Sequence, residues 1–145
     1  MTPTLRGRRQ TRIVVTLLIG IPVTLPFCLI ALLTSPLSAP LPYLMLGVVL
    51  AIGLWLDGWY HQIQQRRWDH DWPTYIQVAA GVFEFFLSYI ACFGCCGGFA
   101  LLNPGFLLIF PVHYLCIWLP SFLFLQGPVQ LLSLRWRFYG GEWSV

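Results

Sequence analysis

The chain contains no lysine, and its charged residues are few: 8 arginines and 5 acids, 9% of 145 residues. Ordinary soluble domains carry about 25%, because charged groups must cover the surface. A water-soluble globule is therefore excluded. Disorder is excluded too, since disordered chains are poor in hydrophobic residues and this one is 58% hydrophobic, with a mean hydropathy of +0.74. Also lacking are the phosphate loop G-x-x-x-x-G-K-[ST], the nucleophile elbow G-x-S-x-G, the zinc helix H-E-x-x-H and the dinucleotide fingerprint G-x-G-x-x-G. Soluble catalysis has nowhere to sit, and no cofactor is expected.

What is present is apolar length. A spanning helix needs about 20 residues, and four runs reach that: roughly 13–33, 43–63, 74–96 and 106–126. The expected fold is an all-α membrane protein, a single domain over 1–145 with four transmembrane helices in an antiparallel bundle. A shorter apolar piece at about 128–138, carrying Arg135 and Arg137, is expected to lie on the membrane surface. The first run follows Arg6, Arg8, Arg9 and Arg12 and could be a signal peptide. Its length exceeds the usual 7–15 residues of a signal's apolar core, which favours an anchor. Pro36, Pro40 and Pro42 mark one turn, and Asn103-Pro104-Gly105 another. Thr74-Tyr75-Ile76-Gln77 has the form of a capping box, with Thr74 as N-cap of the third helix.

With four spans, the N-terminus, the 61–73 loop and the C-terminus share one side. They hold four, two and two arginines, which is all eight, while the loops at 34–42 and 97–105 hold no charge. The positive-inside rule places that basic side, and both termini, in the cytoplasm of a bacterial cell or the organelle equivalent. The arginines flank apolar runs, so they suit orientation and anionic lipid rather than nucleic acid.

Close helix packing in lipid uses small residues, with polar groups turned inward. In the third run Gln77, Gly81, Glu84, Ser88, Ala91 and Cys95 recur at steps of four and three, within roughly 80° of arc. Tyr75, Ala79, Val82, Phe86, Ile90 and Phe93 lie opposite. The same logic gives inner stripes of Gly47, Ala51, Leu54, Gly58 and His61 in the second run, and Thr16, Gly20 and Thr24 in the first. In the fourth run it selects His113, Cys116, Pro120 and Gly127.

Glu84 is the one acid near the middle of a span. An ionised carboxylate there is costly, so the group is expected to be neutral, paired or functional. It should be protonated unless a cation or His113 sits beside it, with Thr24, Tyr89 and His113 as candidate partners. Cys92-Phe93-Gly94-Cys95 is a C-x-x-C pair, which supports redox work when one thiolate is stabilised and the other resolves the mixed disulfide. In this it is similar to membrane thiol oxidoreductases of the vitamin K epoxide reductase type. Those proteins relay electrons through further cysteines in an outer loop, and the 97–105 loop has none. Cys92, Cys96, His113 and Cys116 form a possible soft-metal set. Asp57 and His61, at i and i+4, could pair or share a metal; Asp69-His70-Asp71 reads as a solvated loop.

The expected function is that of a small integral membrane protein without catalysis. It would be an accessory, assembly or scaffold subunit working through helix contacts with other membrane subunits, with itself and with the bilayer. Transport of an ion, proton or small molecule centred on Glu84 and His113 is the first alternative. Thiol oxidoreduction by Cys92 and Cys95 is the second.

Overall fold

A computed structural model describes residues 3–68, 70, 72–95, 105–133, 136 and 138–143. Among them there is no strand. Helix α1 joins Leu5–Val15, a π segment Thr16–Gly20 and Ile21–Thr34. A 3-10 turn at Pro36–Ser38 leads into α2, Leu41–Gln65. Helix α3 is Thr74–Tyr89, prolonged by a π segment Ile90–Cys95. Helix α4 is Phe106–Gln126, and α5 is the short Pro128–Leu132. Four helical stretches of 30, 30, 21 and 27 residues are long and apolar enough to cross a membrane, as a multi-pass membrane protein requires.

The boundaries follow from local chemistry, with two corrections. The first helix begins at Leu5, eight residues before the apolar run. Thr4 caps it, its hydroxyl accepting from the Gly7 amide at 3.0 Å, so Arg6, Arg8, Arg9 and Arg12 are helical. The π segment ends just before Pro22, whose ring crowds the preceding turn and widens the ladder there. The second correction concerns Thr74. The N-cap is Pro73, with extended backbone and no side-chain cap, and its carbonyl accepts from Ile76 and Gln77. At the far end of α4 the chain breaks at Gly127 before Pro128 restarts it.

The core has two unlike parts. One is an apolar and aromatic cluster of Ala31, Leu41, Met45, Cys92, Phe106 and Phe110, all buried, with Phe85, Tyr89 and Phe93 packed against it. Phe85, Tyr89 and Phe93 each lie within about 6 Å, ring to ring, of Phe110. The other part, toward the chain termini, is polar. There the C-terminal residues fold back on the start of α1. The Thr4 amide donates to the Gly140 carbonyl at 2.8 Å, and the Thr11 hydroxyl donates to the Gly141 carbonyl at 3.1 Å. The Trp136 indole N–H donates to Thr11 at 2.7 Å, and that of Trp143 at 3.2 Å. Trp136 is 6% exposed, so this part of the C-terminal segment is held against α1. A side chain at position 7 would collide with Gly140 and Gly141, which is why Gly7 suits that approach.

Candidate functional site

The most concentrated chemistry lies where α1, α2 and α3 meet. Arg12 of α1 reaches across α2. Its Nε and Nη2 donate to both oxygens of Asp57 at 3.0 and 2.9 Å, and its Nη1 donates to Glu84 Oε1 at 2.7 Å. Asp57 is 3% exposed and Glu84 6%. The helix period explains the convergence. On α2, Gly53, Asp57, Tyr60 and Gln64 share one buried face; on α3, Gly81, Glu84 and Ser88 do. Gly53 provides the passage: a Cβ there would strike the Arg12 guanidinium and come within 2.8 Å of Glu84 Oε1. The fork of Arg12 satisfies two buried acids at once, and a planar guanidinium suits such a bidentate arrangement. Removing one partner of a buried pair costs about 3–5 kcal/mol, because the other is left uncompensated.

Arg8 lies one turn earlier on α1. Its guanidinium stacks on Trp72 at 4.1 Å from the ring centre and donates through Nη2 to Gln64 Oε1 at 2.8 Å. Its Nε is buried without a hydrogen-bond partner. Both arginines, Asp57 and Glu84 line a half-open cavity of about 480 Å³. Gln126 of α4 donates to Gln77 of α3 at 2.9 Å along its wall. Trp118 of α4 lies over Gly81, where any side chain would collide with its indole, and the Tyr114 hydroxyl donates to the Gly81 carbonyl at 2.9 Å. Trp136 and Gly141 contribute the end nearest the termini. On the α2–α3 side, the Tyr60 hydroxyl donates to the Ala80 carbonyl at 3.2 Å. Among the described residues, only Oε1 of Glu84 takes part in a hydrogen bond, which leaves Oε2 without one.

The structure distributes the residues singled out in the sequence as follows. Gly81, Glu84 and Ser88 are buried on α3, Gln77 and Ala91 are half-buried, and Tyr75, Val82 and Phe86 are exposed. The partner of Glu84 is Arg12, the cation that the expectation of a protonated acid had excepted. Thr24 and His113 bond each other instead, at 2.9 Å, with Phe27 edge-on to the imidazole. Tyr89 belongs to the aromatic cluster. The stripe on α2 needs correction: Gly47 and Ala51 are exposed, and a Cβ at Gly47 or Gly58 would meet nothing within 4 Å. The buried face of α2 is nearly opposite and is made of larger residues, Leu41, Met45, Leu46 and Leu56 among them. Asp57 serves Arg12 rather than His61, whose buried Nδ1 has no partner.

The thiols are spread out. Cys92 is buried and Cys116 is exposed while His113 is buried, so these residues do not share a face. Among the described residues no group of three or more His, Cys, Asp or Glu could hold a metal. Cys96, Asp69, Asp71, Arg135, Arg137 and the side chain of Cys95 lie outside the described residues. Sequence reasoning missed Arg12 as a buried group, since it stands in a row of basic residues that flanks an apolar run. The available signal was that Asp57 and Glu84, both on helical faces, needed a cation, and Arg12 keeps helical register with the run that follows. Comparison with protein-family models, curated proteins and solved structures finds no match.

Proposed function

We propose that the chain is a non-catalytic accessory, assembly or scaffold subunit of a bacterial plasma membrane or its organelle equivalent. It would form an antiparallel four-helix bundle with both termini cytoplasmic. One observation carries the assembly reading. The small residues Gly47, Ala51 and Gly58 share one face of α2, and that face is left open on the outside of the molecule. Small residues in apolar helices let a second backbone approach closely. Among the described residues no helix uses the opening, so a helix of another subunit or of a second copy is its natural occupant. The clamp supports the same reading, because Arg12, Asp57 and Glu84 spend their charges on joining three helices. The orientation rests on the gathering of all eight arginines at one end of the chain's spans.

The test uses a variant with all five cysteines replaced by serine. Ala51→Cys in that background is expected to cross-link to another chain in native membranes. Gly47→Leu with Ala51→Leu should lower the assembled mass in mild detergent while thermal stability persists. An unchanged assembled mass, with no cross-link from position 51, would sink the proposal. Reporter fusions at residues 38 and 68 and at the C-terminus test the topology, and an outward signal at 68 would overturn it.

A further inference from the structure

The cavity beside the clamp has uses for its polar groups that the helix contacts do not exhaust. Its formal charges are separated along α1. Arg12 offsets one of the two acids, so the end at Glu84 is left with one negative charge in excess. Arg8, one turn away, is a cation with no carboxylate in ion-pair contact among the described residues. Among the described residues, Arg8 Nε is buried without a hydrogen-bond partner, and Glu84 accepts through Oε1 and not Oε2. A chamber with a negative end and a positive end is complementary to a zwitterion.

The walls add a route of entry. Both halves of α1 rest on α2, whereas α4 rests on the π segment and the second half of α1. Between these helices the cavity is lined by Val15 and Thr16 of α1 and by Ile117, Ser121 and Leu125 of α4. That stretch of wall is largely apolar and is built from helices long enough to span a membrane. It would admit a molecule with a charged head and an apolar tail from the side. Trp118, stacked with Phe122 at 5.2 Å, and Trp72, whose face is occupied by Arg8, complete the wall.

We propose that this cavity binds an ammonium–phosphate zwitterion, supplied as the headgroup of an aminophospholipid that enters between α1 and α4. The phosphate meets Arg8. The primary ammonium, a compact group with three donors, meets Glu84 Oε2. The inference does not depend on the scaffold reading, since it concerns the interior of one chain and not the open face of α2.

The full-length chain in nanodiscs would be titrated with phosphatidylethanolamine carrying brominated acyl chains, with tryptophan quenching as the readout. Brominated phosphatidylcholine and phosphatidylglycerol are the comparisons. The first lacks ammonium donors and the second lacks the cation. Phosphatidylethanolamine is expected to quench at about tenfold lower mole fraction than either, as the loss of one charge-assisted hydrogen bond implies. Arg8→Gln should erase the preference while leaving the Arg12 clamp intact, and Arg8→Lys should restore part of it. Equal quenching by the three lipids with the wild-type chain would overturn the proposal even if a variant failed to fold. Preference for phosphatidylglycerol would do so as well. Full competition by soluble glycerophosphoethanolamine would overturn the lipid source and assign the site to a free headgroup.

Discussion

The two ends of the core are held by different physics. Away from the termini, Phe85, Tyr89, Phe93 and Phe110 pack ring against ring around Met45 and Cys92, and no charge is present. Toward the termini, one guanidinium ties three helices through two acids, and Thr11 ties the C-terminal segment to α1 through three hydrogen bonds. An aromatic cluster spreads its contribution over many weak contacts, each about 0.1–0.2 kcal/mol. A clamp concentrates it in a few groups, and loss of the guanidinium or of both acids leaves a buried charge. The polar end should therefore be brittle and the aromatic end tolerant.

The largest test of that contrast is Arg12→Gln. It leaves Asp57 and Glu84 facing each other without a cation and should cost about 3–5 kcal/mol. A thermal melt in detergent should fall by many degrees or give no folded protein. A melt like that of the wild type would mean that the acids do not need Arg12. Next comes Gly81→Leu against Val82→Leu. The first drives a side chain into Trp118 and should cost about 1–3 kcal/mol or more. The second is exposed and should cost little, so equal shifts would reverse the assignment of the α3 faces. Thr11→Val keeps the volume but removes one donor and the acceptor of two indoles, for about 2 kcal/mol in all. Proteolysis of the C-terminal residues, read by mass spectrometry, should accelerate before the melting point moves much. Phe110→Leu at the aromatic end should cost only about 1 kcal/mol, since neighbouring rings can close on the smaller side chain. A loss there as large as that for Arg12→Gln would erase the contrast.

Glu84→Gln should have an effect as small as that of Phe110→Leu. The amide oxygen still accepts from Arg12 Nη1, and Asp57 retains the charge, so a loss of about 1 kcal/mol is expected. Combined with Asp57→Asn, it should approach the cost of Arg12→Gln, because the guanidinium is then buried without any anion. Additive small losses would show that the three groups do not act as one unit.

The helical class and the approximate limits of α2, α3 and α4 were legible because long apolar runs and proline turns report them directly. The faces were legible only where polarity and size agreed. On α3, Gln77, Glu84 and Ser88 share the stripe of Gly81, so two signals selected one side. On α2 they disagreed. Small residues selected Gly47 and Ala51, whereas the polar residues Asp57 and Gln64, in register with Gly53, marked the buried side. Polarity was the better guide, because a small residue is tolerated on either face and a buried acid must have a partner. Arg12 was hidden for a related reason. Hydropathy scores an arginine alike whether it faces water or two carboxylates, and only three-dimensional proximity tells them apart.

Gly53 carries a consequence for how this sequence can change over time. Its missing side chain is the space through which Arg12 reaches Glu84, so positions 12, 53 and 84 cannot drift independently, although they lie on three different helices. A related chain with alanine or anything larger at the position of Gly53 is expected to have moved or replaced the long cation opposite, and where the cation is gone, at least one of the two acids with it. Such a chain would carry its compensation at position 12 together with position 57 or 84. Aligned relatives should show these columns switching as a set, with intermediate combinations missing.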